Sequence, residues 1–263
     1  MAEPANSNGW LDRPDILAVA FHPRREQPSR PSGYEALAIP VAGGVTIGGR
    51  FYAVGTNAPT ILFFHGNGEI VADYHGIAPI YRSLGLNFMP VDYRGYGLSS
   101  GAPAVTSMLA DARQIGAFAK RWLLERGYAG RFIVMGRSLG SASALEIAST
   151  SPREVDGLIV DSGFAHFVPL LERLGASVPA HADADDKAVG QLAKMRAYRG
   201  PTLIIHGTRD CIIPVSDAED LYRAASGTGR RLLRIEGAGH NDLLAVGPRE
   251  FFEAVSGLAH AQP

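Results

Sequence analysis

Short, nearly continuous apolar runs recur along the chain: TILFFHGNG from Thr60, LNFMPVDYRG from Leu86, RFIVMGRS from Arg131, GLIVDSG from Gly157, PTLIIHGTRD from Pro201 and RRLLRIEGAGH from Arg230. They are rich in Ile, Val, Leu and Phe and show no alternation with polar residues. Strands covered on both faces read this way, as in a mostly parallel sheet. Helical patterns lie between them. Residues 105–126 place Met108, Ala112, Ile115, Ala119 and Trp122 on one stripe, and Gly127 ends the segment. Further helices are expected near 70–84, 139–150, 216–226 and 241–258. Ahead of the first run, ALAIPV and VTIGGRFYAV flank Ala42-Gly43-Gly44 and predict an antiparallel hairpin. The alternation predicts an α/β domain with a mostly parallel, doubly wound sheet over residues 34–263. Residues 162–200 are too long for a plain connection and predict a small helical cap. Residues 1–33 hold five prolines (Pro4, Pro14, Pro23, Pro28, Pro31) and predict an irregular arm, whose Trp10, Ile16, Leu17, Val19 and Phe21 would dock part of it on the domain.

Each apolar run ends in glycine with one or two reactive residues: His65-Gly66-Asn67-Gly68, Asp92-Tyr93-Arg94-Gly95, Gly136-Arg137-Ser138, Asp161-Ser162-Gly163, His206 to Asp210, and Gly239-His240. In an open α/β sheet the carboxyl ends of the strands share one edge, and ligands bind there. Gly-x-Ser-x-Gly occurs twice, around Ser99 and around Ser138. A nucleophile elbow needs a strand, a tight turn and then a helix, with small residues where backbones approach. RFIVMG and SLGSASALEIA supply these around Ser138. Ser99 stands seven residues after Asp92, and Pro103 disfavours a helix behind it. Ser138 is therefore the expected nucleophile, and Ser99 a loop serine.

A serine hydroxyl needs a base within hydrogen-bond reach, and the base needs an orienting acid. His240, at the end of the last run, is the expected base. His65 and His206 each precede a glycine and are expected to order their own turns. His22, His75, His166, His181 and His260 have no supporting context. Two acids stand at suitable strand ends. Asp210 gives the chain order Ser, Asp, His and a longer turn to carry the carboxylate; Asp161 is the alternative, and would otherwise cap the first helix of the cap segment. Cys211 is expected to be a small buried filler. One oxyanion donor would be the Leu139 amide, just after the nucleophile at a helix N-terminus. The second would come from HGNG, at Asn67 or Gly68. Phe164, Phe167, Val168, Leu170 and Leu171 would either line an acyl pocket or, for most of them, pack the cap on the sheet.

Composition narrows the classes. The chain has 263 residues, a formal net charge of −1 and a pI near 6.7. No long-range field favours nucleic acid or an anionic membrane. No run approaches the ~20 apolar residues of a membrane span. One cysteine excludes an intrachain disulfide, and MAEPANSNGWLDRPD lacks the basic and apolar regions of a secretory signal, so a cytoplasmic location is the expectation. HGNG lacks a phosphate-loop lysine, and no cluster has zinc-ligand spacing. No cofactor and no metal are expected.

Taken in order, HGNG, DYRGYGLSSG, GRSLGS, HGTRD and GAGHND resemble the α/β-hydrolase superfamily over residues 36–258. In detail they are similar to the branch of acyl-protein thioesterases (depalmitoylases) and their uncharacterised bacterial relatives. The resemblance implies an α/β-hydrolase fold. By position, Ser138 matches the nucleophile, Asp210 the acid, His240 the base and Asn67 the first oxyanion donor. It implies a serine hydrolase acting on a small-molecule or acyl ester or thioester. The eukaryotic relatives reach membranes through an N-terminal span or lipidated cysteines, and the sequence here shows neither. Transfer to an acceptor other than water, or amide cleavage, would use the same residues. A non-catalytic binding protein on this fold is the alternative of another class.

Overall fold

The computed structural model describes residues 9–27, 32–180, 182 and 189–261; Pro4, Pro28, Pro31 and His181 lie outside them. Among the described residues eight strands form one sheet: β1 (Glu35–Val41), β2 (Val45–Phe51), β3 (Thr60–Phe64), β4 (Asn87–Val91), β5 (Phe132–Arg137), β6 (Gly157–Asp161), β7 (Thr202–Gly207) and β8 (Arg230–Ile235). Their spatial order is β1-β2-β4-β3-β5-β6-β7-β8. β1 pairs antiparallel with β2, and β2 with β4; every pair from β4 to β8 is parallel. The helices are α1 (Pro14–Ala20), α2 (Ala78–Ser83), α3 (Val105–Glu125), α4 (Gly140–Thr150), α5 (Phe167–Arg173), α6 (Gln191–Ala197), α7 (Val215–Ala224), α8 (Leu243–Val246) and α9 (Pro248–Ala259). This is the doubly wound sheet with an N-terminal hairpin that the apolar runs predict.

The runs are continuous because both faces of the sheet are covered. In β3, Leu62 and Phe64 join the core under α3, α4, α6 and α7, while Ile61 and Phe63 join the core under α2 and α9. Edge strand β8 is half exposed, and its Arg230, Arg231 and Arg234 discourage a further strand from pairing there.

Two helices depart from their expected extents. The segment near 70–84 divides into a 3₁₀ stretch, Val71–Gly76, and α2, where Pro79 favours a new first turn. The segment near 241–258 breaks at Gly247. Pro248 cannot donate to a preceding turn, so it starts α9, and a Cβ at Gly247 would lie 2.6 Å from Ile235 Cγ2. Both breaks follow from prolines visible in the sequence.

Residues 9–27 pack along the domain. Trp10, Leu11, Ile16 and Phe21 are buried, with Leu17 and Val19 partly so. Arg24 to Glu26 run beside the loop after β4: the Gly97 amide donates to the Arg24 carbonyl (2.8 Å), and Glu26 pairs with buried Arg50. The segment after β6 carries α5 and α6; α1 touches α5, while α6 packs on α4 and α7.

Candidate active site

β5 runs straight into a turn at Ser138, whose φ of 51° is in the left-handed region that L-residues seldom adopt. α4 follows at once. The turn is possible only because its neighbours are glycines. A Cβ at Gly136 would stand 2.1 Å from the Gly140 carbonyl oxygen, and a Cβ at Gly140 would stand 2.2 Å from the Phe64 carbonyl oxygen. The Ser138 amide is fixed by the Asp161 carbonyl at 2.8 Å. This geometry lifts the Ser138 hydroxyl off the sheet edge.

His240, on the loop after β8, places Nε2 2.9 Å from Ser138 Oγ and Nδ1 2.7 Å from Asp210 Oδ2. All three residues are buried to within a tenth of their surface. Asp210 is held from both sides. Its Oδ1 accepts from the Ile212 and Ile213 amides at 2.9 and 2.8 Å. Its Oδ2 lies 3.3 Å from His206 Nε2. Burial pushes the Asp210 carboxyl up, but the bonds from His206, His240 and the Ile213 amide outweigh it and hold it well below the carboxylate range. Burial likewise presses the His206 imidazole down, while Asp210 and the Ile213 carbonyl at 2.8 Å more than offset it, so its pKa is raised.

Asp161 does not bond His240. Its Oδ1 accepts from Ser162 Oγ at 2.9 Å, and burial raises its pKa although Arg137 opposes this. Nor does it cap α5, as the sequence suggested: no side chain caps that helix, and Asp217 Oδ2 accepts from the Ala165 amide just ahead of it. Ser99 is fully buried and its Oγ accepts from the Gly48 amide at 2.9 Å, a loop role. His65 Nδ1 is 2.8 Å from its neighbour's carbonyl, that of Gly66. Cys211 is exposed rather than buried: it sits at the outside of the turn whose inner side Asp210 occupies.

A cavity of about 210 Å³ opens above Ser138. Phe167, Leu170, Leu171, Leu174, Ile213 and Ala20 give it apolar walls, and Asn67, Arg137, Ser138, His240 and Asn241 its polar groups. Phe164 and Val168 are buried in the core instead. Among the described residues, the backbone amides of Asn67 and Leu139 donate to no other group. Leu139 stands at the N-terminus of the eleven-residue α4, where the helix dipole favours negative charge.

Four further residues shape the site and escaped sequence reasoning. Arg137, inside the elbow motif, pairs with Glu69 at 2.8 Å, and its Nη2 donates to the His240 carbonyl (2.9 Å) and Asn241 Oδ1 (3.0 Å). Glu69 in turn accepts from the Gly66 amide at 2.7 Å. One guanidinium thus ties the elbow, the HGNG loop and the His240 loop together. A charged residue between an apolar strand and a buried helix was the available signal. His22 and Tyr96 both bond Asn67, a contact that no local pattern announces.

Residues 55–182 match a family model described as "Serine aminopeptidase, S33". An uncharacterised protein of Mycobacterium tuberculosis is 27% identical over 237 residues, 86% of this chain and 78% of that one. Alpha/beta hydrolase domain-containing protein 17C of Homo sapiens is 30% identical over 190 residues, 70% of this chain and 53% of its own length. The chain belongs to the α/β-hydrolase superfamily. In fold, this α/β-hydrolase is similar to a Pyrococcus furiosus esterase, with a TM-score of 0.73 at 19% identity over 90% of this chain and 98% of that one. The matched family model and relative support a hydrolase. The chain spans about half the length of the human relative. No helix among the described residues is long and apolar enough to cross a membrane.

Proposed function

We propose that the protein is a serine hydrolase that cleaves a carboxylic ester or thioester through an acyl-enzyme intermediate. The observation that carries this is the unbroken chain from Asp210 through His240 to Ser138, at 2.7 and 2.9 Å. Ser138 Oγ attacks the substrate carbonyl carbon while His240 Nε2 takes its proton. Asp210 holds the imidazole in the tautomer that leaves Nε2 free and stabilises the cation that forms. The Asn67 and Leu139 amides receive the oxyanion. As the tetrahedral centre collapses, the bond to the alcohol or thiol breaks and His240 returns the proton to it. Water, deprotonated by His240, then attacks the acyl carbon; the bond to Ser138 Oγ breaks, His240 returns the proton to Oγ, and the acid leaves. The apolar walls above Ser138 suit an acyl chain, and the expected range of substrates is aryl esters and acyl thioesters. The single free thiol, Cys211, suits a reducing cytoplasmic setting.

The test is turnover of aryl esters and acyl thioesters of graded chain length, with Ser138→Ala as control. The variant should lose about three or more orders of magnitude in kcat with its fold intact. Near wild-type turnover by it would overturn the assignment. Failure of Ser138 to react with a fluorophosphonate would favour a non-catalytic binding role.

A further inference from the structure

The HGNG loop is anchored at its base and gripped separately at its tip. At the base, Glu69 Oε2 accepts from the Gly66 amide, and the Glu69 amide donates back to the Gly66 carbonyl at 3.3 Å. At the tip, the Asn67 amide is committed to no partner among the described residues, which leaves its side chain as the handle. That side chain makes three hydrogen bonds. Its Oδ1 accepts from the His22 amide (2.8 Å) and from the Tyr96 hydroxyl (2.7 Å). Its Nδ2 must then be the donor, and it lies 2.8 Å from His22 Nδ1. This fixes His22 Nδ1 as the acceptor. Beside it, Arg24 Nε donates to the Gly68 carbonyl at 3.2 Å, and Arg24 also pairs with Asp73.

His22 and Arg24 belong to the arm, and the arm is pinned on both sides of them. Upstream, Trp10, Leu11, Ile16 and Phe21 are buried. Downstream, the Glu26 amide donates to the Gly97 carbonyl, and Glu26 pairs with buried Arg50. A strap clamped at both ends can hold a loop tip to within the few tenths of an ångström that a preorganised donor needs.

We infer that His22 is a positioning residue: the N-terminal arm, through His22, sets the Asn67 amide at the angle from which it stabilises the developing oxyanion. This rests on the hydrolase reading above. An interaction realised only in the transition state appears in kcat and leaves KM nearly unchanged.

The experiment is a kinetic double-mutant cycle on the full chain with an aryl ester, with melting curves for every variant. Asn67→Ala keeps the backbone amide but removes the side-chain bonds to His22 and Tyr96, and should lower kcat roughly 10- to 100-fold, as a misplaced donor does. His22→Ala should lower kcat about fivefold with KM little changed, the scale of one lost hydrogen bond. In the Asn67→Ala background it should have no further effect, because the two act through one contact. His22→Asn sets an amide oxygen where Nδ1 was and should restore most of the loss. Affinity for a trifluoromethyl ketone, which forms the oxyanion adduct, should fall in parallel with kcat. Should His22→Ala fail to fold, Tyr96→Phe carries the same prediction from the other side of Asn67. Wild-type kcat in His22→Ala or Tyr96→Phe, or an equal His22→Ala effect with and without Asn67, would overturn the inference while a dead Ser138→Ala kept the hydrolase reading. A lowered melting temperature with unchanged kcat would mean the contact only stabilises the fold, and would also overturn it. Turnover surviving in Ser138→Ala would overturn the hydrolase reading itself.

Discussion

Replacing Asp210 by Asn tests the proposed triad with almost no change of shape. The two carboxylate oxygens have separate duties: Oδ1 takes the Ile212 and Ile213 amides, and Oδ2 takes His240 Nδ1. An amide has one oxygen to offer. If it faces the backbone amides, its NH₂ faces His240, whose Nδ1 must then accept. The ring proton moves to Nε2 and points at Ser138, so the base is blocked. If the amide flips, the correct tautomer returns, but two buried N–H groups face an NH₂, at about 1–3 kcal/mol each. Loss of the charge beside the imidazolium adds about 1.5–3 kcal/mol. A total near 5 kcal/mol corresponds to a loss of roughly 10³- to 10⁴-fold in kcat. The assay is initial rates on an aryl ester, with a melting curve to show that the fold persists. A loss under about tenfold in a folded Asp210→Asn protein would refute the reasoning.

Ser99→Ala should leave kcat unchanged and lower the melting temperature by several degrees, since it strips the buried Gly48 amide of its acceptor at a cost of about 1–3 kcal/mol; an unchanged melting curve would contradict this. Asp161 has a pKa raised by burial, so the native state keeps a proton that the unfolded chain gives up above its ordinary value of 3.8. Its contribution to stability therefore falls as pH rises from that value through the native pKa, and Asp161→Asn should flatten this part of a denaturant-measured stability profile. An unaltered slope would show that the group is not held protonated. Gly140→Ala forces a Cβ to 2.2 Å from the Phe64 carbonyl oxygen, and should cost about 3 kcal/mol or more, read as a drop in melting temperature; a wild-type melt would mean that α4 shifts freely against β3.

The sheet was legible because burial on both faces leaves a strong local trace. β3, β4, β6 and β7 are buried at every position, and each is built round an unbroken run of three or four apolar residues. The reactive endings were legible for a related reason: where a strand leaves the core, glycine and polar residues replace aliphatic ones. The positions of Ser138, Asp210 and His240 followed from those endings, and the structure brings the three together. Contacts between distant segments left no such trace. Nothing around His22 shows that its ring meets Asn67, 45 residues away. The exposure of Cys211 depends on which side of the turn the Asp210 carboxylate occupies, which composition does not encode. Asp161 precedes α5 and so suggests a helix cap, yet α5 has no side-chain cap, and Asp217, from α7, bonds the Ala165 amide just ahead of it.

The contact between Ser138 and His240 joins residues 102 positions apart. Its consequence lies in folding kinetics. The stretch that matches the family model, residues 55–182, holds Ser138 and Asn67 but neither Asp210 nor His240. A chain that has assembled only β3 to β6 therefore owns the proposed nucleophile without its proposed base. Non-local pairings of this kind form slowly, because the loop entropy is spent before the contact is made. During refolding, reactivity at Ser138 should appear only with the later arrival of β7 and β8.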